Sequence, residues 1–397
     1  MPKINQIYNV VNQASKNAFG GEAIEVADLT GLISLGDKVL SSNYDLDAWL
    51  KSFTDLITKQ IVSNRAYSAQ DRGLSRNLIE FGAALQKVYI EPYTASESEA
   101  WKISEDYDPV KFDLGNHNRP EVKVKIFEAD LNVWKYTISI PQYQIKTGFL
   151  NETNMAAFIS AVYTELENAF NIAISNLSAL CEANFIGEKL DAQKESGYGK
   201  QAVNLLKVYN DTTNAGLTVS AALRSPEFWR FTGMEIDRDR ARFKTMNRIY
   251  NTEGYARFTT DDRLRFHLLS DVAAAYRTYL ESDTFHDELI KLSGYEEIPT
   301  WQGLGEKGTF EDVSSIKVTT TSGKTVEQSG IIACIFDNEA MGTIFEDVRQ
   351  NSLYDPEHDL EKIWYKSARS YFNDLTEQGI IYYIAEDDKD YLQIEAA

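Results

Sequence analysis

Residues 151–187, NETNMAAFISAVYTELENAFNIAISNLSALCEANFIG, constrain the fold more than any other stretch. Met155, Phe158, Ile159, Val162, Tyr163, Leu166, Ala169, Phe170, Ala173, Leu177 and Leu180 recur at intervals of three and four. That spacing lines one face of an α-helix. Asn151 has the side chain to cap its first turn, and Gly187 supplies a stop. Roughly 35 residues at 1.5 Å each give a helix of about 50 Å, about three times the usual length. The stretch lacks the heptad charge pattern of a coiled coil. The expectation is a spine helix around which a flat domain is built.

The chain leading into this helix reads differently. QKVYIEP (86–92) is a short strand. TASESEAWKISEDYDPVKFDLGNHNRP (94–120) is polar, acidic and rich in turn residues. A loop of this length is too long for a compact connection, and such loops are functional or disordered. After it, Val122, Val124 and Ile126 alternate with Lys123 and Lys125. Trp134, Tyr136, Ile138 and Ile140 alternate with Lys135, Thr137 and Ser139. This is strand periodicity on both sides of a turn near Ala129-Asp130. Residues 85–145 thus predict a long two-stranded excursion without a core of its own. A lone hairpin is marginal in water, so the arm needs a partner in its own body or in a neighbouring subunit.

The flanking regions are mixed. DLTGLISLGDKVLSS and LDAWLKSFTDLITKQIV have helical spacing, with Leu50, Phe53, Leu56, Ile57 and Ile61 on one face. Residues 195–350 read α/β: RLRFHLLSDVAAAYRTYL starts as a strand and becomes a helix, and Ser322-Gly323 marks a hairpin turn. A second strand pair turns near Gln378-Gly379. With only 8 prolines in 397 residues, no stiff linker cuts the chain into independent units.

Composition narrows the chemistry. A content of 43% hydrophobic and 12% aromatic residues is globular, and no run of 18 apolar residues is present to span a membrane. The N-terminal MPKINQIYNVVNQASKN has no apolar core of a signal peptide, which predicts a cytosolic synthesis product. Cys181 and Cys334 are expected to be buried free thiols. The formal net charge of −20 argues against nucleic-acid binding by general attraction. It is compatible with a wall that encloses packed nucleic acid without gripping it.

The search for catalytic residues returns nothing. GLGEKG (303–308) matches G-x-G-x-x-G, but IPTWQ before it is too short for a central strand. TFEDVSSIKV after it reads as loop and strand, so the βαβ frame of a dinucleotide site is missing. His117, His267, His286 and His358 form no close pair, and neither cysteine has a neighbouring ligand, so no metal site is predicted. No catalytic constellation and no cofactor is predicted. The basic run DRDRARFK is read as a solvated helix with local Asp partners. A sharper reading makes Arg238, Arg240 and Arg242 contacts to an acidic neighbouring subunit, where guanidinium forks bind carboxylates well.

The order of these parts resembles the major capsid proteins of tailed bacteriophages, the HK-97-type shell fold, and in finer pattern those of small short-tailed phi-twenty-nine-like phages. IEFGAALQKVYIEPYTA (79–95) is similar to their entry into the extended loop. VKIFEADLNVWKYTISIPQYQIKTGFLNETNMAAFISAVYTELENAF is similar to the return strands feeding the spine helix. IIACIFDNEAMGTIFEDVRQNSLYDPEHDLEKIWYKSARSYFND is similar to the final lobe segment and closing strands. The resemblance implies an α+β chain in five parts: an N-terminal arm and helices (1–78), an extended loop (79–148), a spine-helix segment of the peripheral domain (149–194), an axial domain (195–345) and peripheral return strands with a C-terminal tail (346–397). It implies no enzyme. It implies self-assembly into hexamers and pentamers, in the host bacterial cytoplasm, of a virion shell around double-stranded DNA, with portal and scaffolding proteins as further partners and no membrane. Trp101, Phe112 and Arg119 in the arm, with Arg238, Arg240 and Arg242, are then the expected inter-subunit contacts. The alternatives are an encapsulin-type compartment and a nucleotide-binding enzyme using GLGEKG.

Overall fold

The computed structural model describes residues 4–26, 29–39, 48–49, 52, 72–77, 84–91, 122–128, 132–141, 152–195, 200–278, 294–302, 308–345, 349–355, 357–358 and 360–386. In chain order its elements are α1 (Ile4–Phe19), α2 (Leu29–Val39), β1 (Ser75–Asn77), β2 (Ala84–Ile90), β3 (Val122–Glu128), β4 (Asn132–Pro141), α3 (Glu152–Glu195), β5 (Ala202–Asn204), α4 (Leu205–Thr213), α5 (Val219–Ala222), α6 (Pro226–Phe243), β6 (Leu264–Leu269), α7 (Ser270–Tyr276), β7 (Glu296–Ile298), α8 (Phe310–Val313), β8 (Ile316–Thr319), β9 (Thr325–Gln328), β10 (Ile331–Asp337), β11 (Met341–Phe345), β12 (Arg349–Asp355), β13 (Leu360–Asn373) and β14 (Gly379–Tyr383). They fall into two compact units. One gathers Met1–Leu78, Asp130–Leu180 and Gly342–Tyr371. The other gathers Ile79–Ala129, Cys181–Met341 and Phe372–Ala397.

The first unit is organised on β13. This strand runs antiparallel to β12, from Arg349↔Lys366 to Asp355↔Leu360, and antiparallel to β4, from Leu360↔Pro141 to Arg369↔Asn132. β1 joins the same sheet parallel to β11. Arg369 is 1% exposed. Its guanidinium lies 4.9 Å from the Trp134 ring, 5.5 Å from Phe170 and 5.8 Å from Tyr136. A flat, weakly hydrated cation can fill an aromatic pocket in this way where an ammonium cannot. In the N-terminal part, fully buried Trp49 donates its indole N–H to Ser15 Oγ at 3.3 Å.

The second unit is built on a five-stranded sheet in the order β5-β14-β10-β6-β7. All seven residues of β10, IIACIFD, and all five of β14, GIIYY, are buried. Short continuous apolar runs bounded by turns form central strands of this kind. The C-terminal half of α3 lies on the sheet, with Phe185 and Phe336 rings 6.2 Å apart. Cys181 and Cys334 are both free and buried, as expected.

Three local expectations are corrected. α3 does not stop at Gly187 but runs 44 residues to Glu195, about 66 Å at 1.5 Å per residue. Gly187 is instead the place where the β8–β9 hairpin crosses the helix: a Cβ there would lie 2.2 Å from Val318 Cγ2. The strands either side of Ala129-Asp130 do not pair with each other. β3 pairs antiparallel with β2, Ala84↔Glu128 to Ile90↔Val122, while β4 belongs to the β13 sheet. Similarly β13 and β14, either side of the predicted turn near Gln378-Gly379, enter different sheets. In the two strand cases periodicity located the strands but not the ladder each one joins; residues 129–131 lie outside the described residues, and the turn before β14 falls at Leu375-Thr376, with Gly379 already in the strand.

Candidate assembly surfaces

The β2–β3 ladder alternates in an unusual sense. Its apolar residues face out: Val88 is 57% exposed, Ile90 51%, Val122 50%, Val124 51% and Ile126 58%. The opposite face carries Lys87, Tyr89, Lys123, Lys125 and Phe127, and packs on the body of the same unit. Tyr89 stacks on Tyr255 with ring centroids 4.7 Å apart and lies under the Arg257 guanidinium at 4.5 Å. Lys123 Nζ sits 4.8 Å from the Tyr255 ring, and Phe127 meets Phe372 at 5.8 Å.

Lys87 is the centre of this inner face. Its Nζ lies 3.0 Å from Asp374 Oδ2, 3.5 Å from Glu377 Oε1 and 3.8 Å from Glu339 Oε2, and donates to the Glu339 carbonyl at 2.6 Å. Lys125 Nζ reaches Asp374 Oδ1 at 3.4 Å and Glu253 Oε1 at 3.6 Å. Arg257 pairs with Glu377 at 3.3 Å, and Arg263 with Asp337 at 3.2 Å and Glu339 at 2.8 Å. Burial alone would push the Asp374 carboxyl up. The Lys87 and Lys125 charges and the Thr376 hydroxyl outweigh it, so its pKa lies below the ordinary carboxylate value. At Glu377 burial prevails over Lys87 and Arg257, and its pKa is raised. A cleft of about 490 Å³ opens beside this cluster, walled by Val88, Ile90, Met246 and Phe258 over Arg257 and Glu339. Met246 and Phe258 are themselves 53% and 52% exposed.

The basic run lies on α6. Ser225 caps the helix through the Phe228 N–H, and Pro226 occupies its first turn. Arg238 pairs with Glu235, Arg240 with Asp237 at 3.7 Å and Arg242 with Asp239 at 3.5 Å, each three residues back. The local-partner reading of this run is therefore what the helix contains. Asp239 is more than a surface partner. Fully buried, it accepts from Lys200 Nζ at 2.6 Å and from the hydroxyls of Tyr250 and Tyr382, each at 2.9 Å. Burial and the Asp239 charge push both phenols up. The arginines of α6 flank this hub with Arg238 and Arg242 side chains 45% and 49% exposed. Trp101, Phe112 and Arg119 lie outside the described residues.

The glycine motif is likewise placed by its flanks, since 303–307 lie outside the described residues. β7 before it is a three-residue edge strand, parallel to β6. After it comes α8, a single turn of four residues capped by Thr309, where the sequence predicted loop. β8 and β9 follow as an antiparallel hairpin, so among the described residues no βαβ unit surrounds the motif. Among the described residues no group of His, Cys, Asp and Glu could hold a metal ion, and no helix is long and apolar enough to cross a membrane.

No curated protein matches the chain. Among solved structures, the capsid structure of Staphylococcus phage Andhra is similar with a TM-score of 0.50 and 10% identity, over 78% of this chain and 83% of that one. A chain in the structure of head fiber and inner core protein gp22 of native bacteriophage P68 is similar with a TM-score of 0.51 and 11% identity, over 80% of this chain and 85% of that one. At such identities the likeness is one of fold, the mixed helix-and-sheet fold of phage capsid proteins expected from the order of parts. The family model of the Phi29-like phage major capsid protein matches residues 7–383, from within α1 to the last residue of β14, and the chain belongs to that family.

Proposed function

We propose that this head-shell protein assembles into hexamers and pentamers that close into an icosahedral or elongated shell around double-stranded DNA. Assembly takes place in the host bacterial cytoplasm, with a scaffolding protein and a portal as partners. The observation that carries this reading is the outward apolar face of the β2–β3 ladder. Five β-branched side chains, each half or more exposed, form a contiguous patch of the kind that marks an interaction site. In a shell, the neighbouring subunit covers it. The net charge of −20 suits a wall that holds packed DNA without adhering to it. The five-part division at 78/79, 148/149, 194/195 and 345/346 belongs to the same proposal, as do the contacts through Trp101, Phe112, Arg119, Arg238, Arg240 and Arg242.

Electron microscopy of the expressed chain, alone and with its scaffolding protein, tests the reading. Closed shells or six-fold capsomer sheets are expected; a uniform small oligomer under both conditions would overturn it. Trp101→Ala and Arg119→Glu are expected to leave a soluble, folded chain that gives at least tenfold fewer shells. Wild-type shell yield in both would remove these residues from the interface.

A further inference from the structure

The sense of alternation in the β2–β3 ladder needs a cause. A strand's faces exchange when its register moves by one residue. The same sequence could therefore turn Val122, Val124 and Ile126 onto the body and leave Lys123 and Lys125 in water, which is the ordinary arrangement of a half-buried strand. The structure has the reverse. What holds the lysine face inward is a set of body carboxylates that lie buried beneath it: with the arm in place, the side chains of Asp374 and Glu377 are 1% and 7% exposed. Buried carboxylates need cationic partners. Lys87, 16% exposed, reaches Asp374, Glu377 and Glu339 at once.

We propose that Lys87, with Lys125 and Arg257 beside it, is a positioning group for assembly: it fastens the inner face of the arm to the body's carboxylates, so that the apolar face is presented to a second copy of the chain. This rests on the reading that a second copy covers the arm. The apolar face continues into the cleft walled by Met246 and Phe258, which makes the presented surface one patch of arm and body together. The ion cluster is therefore specific to orientation. Without it the ladder would gain by burying its own valines, and the neighbour would meet lysines instead.

The test separates the two layers. Amide hydrogen exchange is measured on the unassembled full-length chain across 252–258 and 374–377, the segments beneath the arm. Shell yield is counted in parallel. In Lys87→Met, exchange there is expected to rise tenfold or more and shell yield to fall tenfold or more, while Lys87→Arg keeps both close to wild type. Lys125→Met, at the more exposed lysine, carries the same test should Lys87→Met not fold. Unchanged exchange, or raised exchange with wild-type shell yield, would overturn the proposal alone. The reading beneath it is probed with Val124→Cys and a maleimide, since both native thiols are buried. Protection in closed shells is expected. Labelling in shells as fast as in the unassembled chain would overturn that reading and the proposal with it.

Discussion

Gly187→Ala sets two well-measured effects against each other. In a helix interior alanine is favoured over glycine by about 1 kcal/mol, and Gly187 has no positive φ to forbid the change. By helix propensity alone the variant is more stable. The structure says otherwise, because the added methyl would lie 2.2 Å from Val318 Cγ2 and 3.6 Å from its Cβ. Val318 is 6% exposed and sits in β8, paired with Val326 of β9, so it has little room to give. Overpacking of this kind costs about 1–3 kcal/mol, and the net expectation is a loss of up to about 2 kcal/mol. Val318→Ala alone removes two methyl groups, worth about 1.6 kcal/mol by transfer. Combining the two lets the new methyl occupy space that Val318 Cγ2 vacates. The double variant is therefore expected to be more stable than the sum of the single losses by at least about 1 kcal/mol, within the usual range for touching residues. Urea unfolding of the unassembled chain, followed by tryptophan fluorescence, measures all four corners of the cycle. A gain of about 1 kcal/mol in Gly187→Ala, or strict additivity in the double variant, would refute the close crossing of hairpin and helix.

Three further outcomes follow from buried groups. Asp239→Ala leaves Lys200 and the hydroxyls of Tyr250 and Tyr382 without their shared acceptor; a loss of about 3–5 kcal/mol is expected, and a loss under about 1 kcal/mol by the same unfolding assay would contradict the hub. Gly330→Ala forces a side chain onto φ +75° with its Cβ 2.2 Å from the Ile384 carbonyl oxygen. Strain and overlap together cost roughly 2–6 kcal/mol, so the variant should accumulate as insoluble protein, and normal soluble yield would count against the close approach of Gly330 to the Ile384 backbone. Lys189 donates to Gln201 Oε1 and the Tyr250 carbonyl, each at 2.9 Å, and burial lowers its pKa from 10.5 to about 7. Because the folded pKa is the lower one, the unfolded chain binds more protons between about 7 and 10.5. Wild-type stability relative to Lys189→Met should therefore rise with pH across that window, by at most about 1.4 kcal/mol per unit; a difference that is flat from pH 7 to 10 would refute the assignment.

Much of this architecture is legible in the residues, and the misses share a cause. The 3.6-residue stripe before Leu180 announces α3, and the run IIACIF announces a central strand, because each pattern is local. The passage from strand to helix at RLRFHLLSDVAAAY is legible for the same reason. Partner choice is not local: nothing in VKVKIF says that it pairs with ALQKVYI across a connection of more than 30 residues, rather than with NVWKYTISIP five residues on. Gly187 shows the same limit, since its role depends on a hairpin 130 residues later. Among the site residues, the acidic partners of α6 could be read from i,i+3 spacing. The pairing of Lys87 with Asp374 joins residues almost 290 apart, and nothing local to a lysine at a strand position names so distant a partner.

The placement of the two cysteines bears on durability. Both are 0% exposed, and burial pushes the Cys334 thiol well up, away from the reactive thiolate. Oxidants act on exposed thiolates, and this chain offers none at either position. At these two positions the folded chain is closed to disulfide cross-linking and to sulfenic acid, whether its surroundings are reducing or oxidising.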